Sequence, residues 1–126
     1  MDFKKIEGHF RVDGPVAGSG GRDYPLTARS GGRSCKVAQY WIKVIAASSN
    51  AKLGLGLEHG PDGNLFVLHS NVISLAAPAS IPGLLVGDAD DTKIIGEYLR
   101  PVVNIVSNDA SVCWAVIEVY EMRKPF

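Results

Sequence analysis

The sequence predicts an all-β fold: an antiparallel two-layer sandwich, jelly-roll-like, of about seven or eight strands. Three observations carry that reading. The 14 glycines and 7 prolines are spread along all 126 residues and cut the chain into short pieces. The two long windows free of both, 34–51 and 104–124, alternate apolar and polar residues at period two and are rich in β-branched and aromatic side chains. Turn chemistry recurs between the apolar segments.

Taken in order, Lys5 to Val12 reads as a short strand, with Ile6, Gly8 and Phe10 opposite His9 and Arg11. Asp13 to Arg33 is rich in Gly and Ser, and Tyr24–Thr27 is its one candidate strand. Residues 1–33 are therefore expected as a Gly-rich arm and loop with a short strand. Residues 34–126 are expected as the sandwich core of the same single domain. The arm holds Lys4, Lys5, Arg11, Arg22, Arg29 and Arg33 against Asp2, Glu7, Asp13 and Asp23, a mildly basic composition suited to ordering on a partner.

Cys35 to Ala47 follows as a strand, with Tyr40, Ile42, Val44 and Ala46 on one face and Val37, Gln39, Trp41 and Lys43 on the other. Ala51 to Glu58 alternates Leu53, Leu55 and Leu57 against Lys52, Gly54, Gly56 and Glu58, as a half-buried strand does, with the glycines on the outward side. His59 to Asn64 is a turn. Pro61 presets φ, Asp62 bonds back to its own backbone, and Gly63 tolerates positive φ. Leu65 to His69 returns to complete a hairpin. Ala76 to Asp91, with Pro78, Pro82, Gly83 and the acidic run Asp88-Ala-Asp-Asp91, reads as a long loop. Residues 92–106 form an extended segment in which Pro101 calls for an edge position or a bulge. Ser107 to Ala110 turns into a last strand, 111–122, and the two are expected to pair as a second hairpin. In that last strand Cys113, Ala115, Ile117 and Val119 make an apolar face ending at Glu121. Trp114, Val116, Glu118, Tyr120 and Met122 make a mixed one.

Composition narrows the function. The hydrophobic share is 46% and the charged share 21%, ordinary for a globular domain. Thirteen basic and thirteen acidic residues give a formal net charge of zero. A neutral chain offers no electrostatic case for nucleic acid or an anionic membrane, and it does little to resist self-association. No apolar run approaches the roughly 20 residues that span a bilayer. MDFKKIEGHF lacks the apolar stretch of a secretory signal, so a cytoplasmic location is expected. Cys35 and Cys113 read as two buried reduced thiols, with a bridge between strands as the alternative.

No constellation spells out catalysis. Gly18–Gly21 lacks the Lys-Ser/Thr and the following helix of a phosphate loop. His59 and His69 flank the hairpin and can approach across it, but no third metal ligand is evident beside them, and His9 lies apart. Asp88, Asp90 and Asp91 lack the glycine and glutamate of a calcium loop. No Ser- or Cys-His signature stands out, and Glu58, Glu97, Glu118 and Glu121 read as outward strand carboxylates. The expectation is a protein that is not an enzyme, with no catalytic residues, metal or cofactor.

What stands out is surplus apolar surface. Tyr40 and Trp41 lie on opposite faces of one strand, as do Trp114 and Ala115, and Val102 and Val103 repeat the pattern. Such residues are core, an interface with Trp and Tyr as anchors, or a stacking platform for sugar rings. The candidate binding residues are Trp41, Tyr40, Trp114 and Tyr120, with Arg11, Arg22 and Arg33 from the arm.

The Gly-rich arm, the strand 37–47, the hairpin 53–68 and the phrase Gly96-Glu-Tyr-Leu-Arg-Pro-Val102 before a terminal strand together resemble the small β-sandwich decoration, or cement, proteins of tailed bacteriophages. The resemblance spans nearly the whole chain and carries over no functional residue. It implies a non-enzymatic virion protein, a trimer bound to a capsid surface. The alternative is a lectin-like carbohydrate-binding module. A small hydrolase or isomerase on a jelly roll is the third reading, and the scatter of the histidines argues against it.

Overall fold

The computed structural model describes residues 3–126; Met1 and Asp2, which belong to the expected arm, lie outside the described residues. Nine strands run β1 (Phe3–Gly14), β2 (Arg22–Pro25), β3 (Arg29–Ser30), β4 (Cys35–Ala47), β5 (Ala51–Gly60), β6 (Val67–Ala76), β7 (Gly83–Asp88), β8 (Tyr98–Ser107) and β9 (Cys113–Pro125). A single 3-10 turn, Gly32–Ser34, precedes β4, and the described residues contain no α-helix.

One sheet has the order β1-β9-β4-β7, the other β2-β8-β5-β6, with β3 also on β8. Pairing is nested: β1 with β9, β2 with β8, β4 with β7, β5 with β6, each antiparallel. A long antiparallel ribbon rolled into two layers has this connectivity, and it is the jelly roll the alternation predicts.

The layers close over Val12, Tyr40, Ile42, Val44, Ala115, Ile117 and Val119 from the first sheet and Leu53, Leu55, Leu57, Leu99, Val103 and Ile105 from the second, all essentially inaccessible. The three β5 leucines show what alternation does energetically. Burying each contributes about 1.5–3 kcal/mol, and only one strand face can collect it.

Tertiary structure departs from the sequence expectations in several places. Residues 3–33 are built into both sheets. β1 pairs along nearly all of β9, and β2 and β3 pair with β8. The stretch 76–91 is not all loop, because Gly83–Asp88 is β7, an edge strand on β4. The return strand of the first hairpin runs over Val67–Ala76 rather than ending at His69.

The second hairpin does not form. β8 and β9 lie in opposite sheets, so the turn between them crosses the sandwich. A residue far upstream dictates that crossing. The two N–H bonds of Asn50 Nδ2 are shared among four acceptors within reach: Ser107 Oγ (3.0 Å), Asp109 Oδ1 (2.9 Å) and the Ser111 and Val112 carbonyls (3.1 Å each). Asn108 N–H returns to the Asn50 carbonyl at 2.9 Å.

Pro101 sits in β8, a central strand, with neither an edge position nor a bulge in its ladder with β5. Its carbonyl accepts Leu26 N–H at 2.8 Å. That side of β8 is where β2 has ended at Pro25 and β3 has not begun, so the missing N–H faces a break in the ladder. Two register shifts in β4 reset its phase. Ala47, opposite inward-facing Ala115, takes the place on the core side expected of Ala46. Gly54 and Gly56 lie on the outward phase but are buried: the register shifts of β6 bring the Ile73 and Leu75 backbone against Gly54, and the Leu68 and Asn71 side chains lie over Gly56.

Cys35 and Cys113 are both buried and free. Cys35 pairs with Pro125 and Cys113 begins the same β9. They stand a strand length apart, about 40 Å at 3.3 Å per residue, which rules out a bridge between them.

Candidate docking surface

The outward face of the β1-β9-β4-β7 sheet carries the side chains that alternation turns away from the core. Rows run across the strands. Lys5 neighbours Tyr120, which neighbours Trp41, which neighbours Val86; one row on, Glu118, Lys43 and Leu84 align. The Phe3 ring meets Trp41 edge-on at 4.7 Å between centroids and 67°. Phe3, Trp41, Tyr120, Pro82 and Leu84 line a hollow of about 690 Å³, with Lys43, Ser80 and Gly83 completing it. Leu84 is 53% exposed, and Phe3 and Val86 are nearly as open.

The polar groups here are satisfied within the chain. Trp41 Nε1 donates to Gln39 Oε1 at 2.8 Å, and Gln39 Nε2 donates to Asp88 Oδ1 at 3.0 Å. The indole therefore offers its ring while its N–H is already engaged. Glu118 is buried on this outer face beneath two ammonium groups, Lys5 Nζ at 2.7 Å and Lys43 Nζ at 3.6 Å, with the His9 ring nitrogen Nε2 at 3.7 Å. The hydrogen bond from Lys5 outweighs desolvation and holds the Glu118 carboxyl below its usual value; the same contact raises Lys5. His9 reaches Glu118 from the irregular part of β1, with a φ of 44° that is uncommon for a residue with a side chain.

The structure separates the residues singled out from sequence. Trp41 and Tyr120 meet in the hollow. Tyr40 does not join them: it points inward, fully buried, and its hydroxyl donates to Glu121 Oε2 at 2.7 Å. Trp114 shares the outward face but lies at its far end, under the Arg11 guanidinium at 5.0 Å, and Arg11 also pairs with Asp13. Arg22 is exposed on β2 in the other sheet, and Arg33 lies in the 3-10 turn. The three arginines form no common patch. Phe3, Leu84 and Val86 were not among the candidates. Their signal was the Leu84-Leu-Val86 run inside what reads as a proline-bounded loop.

A second hollow, of about 840 Å³, lies where β5 ends, between the 61–66 loop and residues 94–97. Arg33, His59, Phe66 and Ile95 are among its walls, and Leu65, Val67 and Ile94 stand exposed around it. His59 and His69 do meet, rings edge-on at 4.9 Å. His59 Nδ1 accepts Gly96 N–H at 2.9 Å, so it is unprotonated there. Burial first, then the His69 ring and the Lys93 ammonium, lowers the His59 pKa. His69 Nε2 faces the Lys93 carbonyl at 3.3 Å, which assigns the proton to that nitrogen, and Lys93 Nζ donates to the His69 carbonyl at 3.0 Å. Among the described residues no three His, Cys, Asp or Glu side chains converge as metal ligands would. Asp88 and Asp90 are instead engaged by Gln39 and Thr92.

No protein-family model matches this chain, and no curated protein matches it. Solved structures do match in fold. The VP2 subviral particle of infectious bursal disease virus aligns with 98% of this chain and 32% of its own at a TM-score of 0.63 and 8% identity. The Gx strain of the same virus aligns over 97% and 31% at 0.60 and 12%. The CBM22-1–GH10 modules of Clostridium thermocellum xylanase 10B, complexed with xylohexaose, align over 98% and 29% at 0.50 and 10%. This chain thus spans about a third of the length of the viral chains it resembles. At these identities the likeness is one of fold.

Proposed function

We propose that this chain is a structural assembly protein with no catalytic role: a jelly-roll subunit that joins a larger protein lattice, as a decoration protein joins a viral capsid, through the outward face of its β1-β9-β4-β7 sheet. One observation carries the reading. Phe3, Trp41, Tyr120, Leu84 and Val86 crowd a solvent-facing sheet surface where alternation places polar residues in a lone domain. An apolar, aromatic centre with lysines at its margin is the anatomy of a protein interface. The fold shared with VP2 of a subviral particle supports the lattice, and the decoration-protein resemblance supports a homotrimer located on the virion.

Sedimentation velocity over a concentration series, with co-sedimentation on empty capsids, tests this. The expected result is an oligomer that binds the lattice, and loss of both on Leu84→Asp. A wild-type monomer at high concentration that binds no lattice would overturn it.

A carbohydrate-binding role is the second reading, supported by the adjacent Trp41 and Tyr120 rings and the fold shared with the xylanase module. Against it stands the scarcity of polar groups in the hollow: one lysine, one serine hydroxyl and one phenol. Orienting a sugar takes several directional partners. Saturable quenching of tryptophan fluorescence by xylo-oligosaccharides, with wild type remaining monomeric, would favour it.

A further inference from the structure

Among the described residues β4 is the only ladder partner of β7, so the other side of β7 is an open edge of the β1-β9-β4-β7 sheet. An open edge is a template for another strand, and folded chains blunt their edges against it. The other edges of this sandwich are blunted. β1 carries Lys4, Lys5, Glu7 and Arg11, shifts register twice and holds His9 at a φ of 44°. β2 is four residues long and ends at Pro25, and β3 has two residues. β6 meets β5 with three register shifts. β7 has none of these devices. Gly83 to Gly87 contains no charge, no proline and no bulge against β4, and Leu84 and Val86 stand exposed beside the edge.

We propose that β7 is a two-fold contact, at which a second copy of this chain adds its own β7 antiparallel and joins the two four-stranded sheets into one. The proposal rests on the assembly reading above and names one partner within it. The strand's own sequence selects that partner. Gly83-Leu84-Leu85-Val86-Gly87 reads almost the same in both directions about Leu85. Antiparallel pairing about Leu85 sets glycine against glycine, Leu84 against Val86, and Leu85 against its own copy. Residues opposite one another share a face. This register therefore keeps Leu84 and Val86 outward and Leu85 inward in both copies, and a slip of one residue would oppose outward positions to inward ones.

Charge agrees with the same two-fold. Asp88 continues the outward phase at one end of β7, bonded to Gln39. Lys43 stands beside Leu84 at the other end and shares Glu118 with Lys5. The antiparallel copy brings each Asp88 beyond its partner's Gly83, at the end where Lys43 stands, and holds the two Asp88 residues about 20 Å apart at 3.3 Å per residue. A parallel copy would set Asp88 beside Asp88. The strand is also held from within. Gly87 lies opposite inward-facing Tyr40, and the Val72 carbonyl of β6 sits under Gly87 on that inner side. Little ordering remains to be done on docking. Leu84 walls the aromatic hollow, so the two hollows of such a dimer flank the axis and open on the same side. The edge contact leaves the rest of the subunit free for a three-fold one.

The test is amide hydrogen exchange on the full chain over a concentration series. Residues 83–88 are expected to exchange more slowly as concentration rises. Phe3→Asp alters the hollow three strands from the edge. It is expected to lose co-sedimentation with capsids yet still sediment at twice the monomer mass. Val86→Lys places a charge at the edge and is expected to abolish both the slowed exchange and that dimer, with circular dichroism checking that it folds. The register is read by cross-linking. Leu84→Cys and Val86→Cys chains, mixed under oxidised glutathione, are expected to form a disulfide-linked pair faster than either chain alone. Exchange of β7 that stays the same at every concentration, or equal cross-linking in the mixture and the single variants, would overturn the edge pairing. Capsid binding by such a monomer would leave the assembly reading standing. A concentration-protected β7 in a wild-type chain that binds no capsid would overturn the lattice docking instead, and confine assembly to the two-fold dimer.

Discussion

The Tyr40 hydroxyl donates to Glu121 inside the sandwich, and the same carboxylate receives Arg29 Nη1 at 3.0 Å and Arg123 Nε at 2.9 Å. Arg123 also donates to the Ser30 carbonyl at 2.8 Å. The buried acid thereby ties β3 of one layer to β9 of the other. Burial, then the Glu121 charge, drives the Tyr40 phenol well above its ordinary value, so it stays a donor.

Tyr40→Phe is expected to cost about 1.5–3 kcal/mol in a urea titration, the value of one buried hydrogen bond to a charged acceptor. Its association state should stay that of wild type. Glu121→Ala strands two guanidiniums and should cost about 3 kcal/mol, toward the lower end for a buried pair because both arginines keep some exposure. Loss of association in Tyr40→Phe with stability unchanged would return Tyr40 to the interface.

Stability should fall as the medium is acidified through the histidine range. His59 binds its proton less readily folded than unfolded, so between its lowered value and the ordinary 6.5 the unfolded chain holds more protons. Its contribution is therefore complete above about 6.5 and declines as pH drops below it. His59→Asn, whose Oδ1 can accept Gly96 N–H without titrating, should flatten that part of the stability–pH curve. An unchanged slope from pH 7 to 5 would exclude His59 as the cause.

Gly54 and Gly56 alternate with the same leucines yet should respond oppositely to alanine. A methyl at Gly54 would sit 2.8 Å from the Ile73 carbonyl oxygen, which belongs to backbone. Gly54→Ala is expected to cost about 1–3 kcal/mol. A methyl at Gly56 meets only Leu68 and Asn71 side chains, at 3.8 Å or beyond. Gly56→Ala should be neutral or stabilise by up to about 1 kcal/mol through the unfolded chain. Chemical denaturation of the pair decides the matter; equal effects would mean that β6 does not cross Gly54 as described.

Burial raises both thiols above their ordinary value. A thiol reagent at pH 8 should label native protein slowly and take up two equivalents per chain once urea unfolds it, with no reductant present. One or no equivalent after unfolding would reveal a bridge.

Much of the fold was legible because alternation is local. A strand with one face in the core must repeat every second residue, and β4, β5 and β9 carry that repeat openly. Trp41 and Tyr120 could be singled out as outward-facing aromatics for the same reason: they lie on the outward phase of strands whose inward phase is already apolar. Tyr40 was misjudged because period two assigns a side chain to a face but does not reveal what waits there, and its partner Glu121 lies 81 residues away.

From its own order of residues, then, the chain determined most of the long strands, the buried phase along most of β4, β5 and β9, and that more apolar surface exists than one core absorbs. Tertiary structure alone decided the sheet of each strand, the crossing at Asn50, the strand hidden at Gly83–Asp88, and the convergence of Phe3, Trp41, Leu84 and Tyr120 into one hollow. The reason is range. Side-chain direction along a strand depends on the nearest residues, whereas neighbouring strands are chosen by contacts between residues far apart in the chain, and no local pattern encodes those.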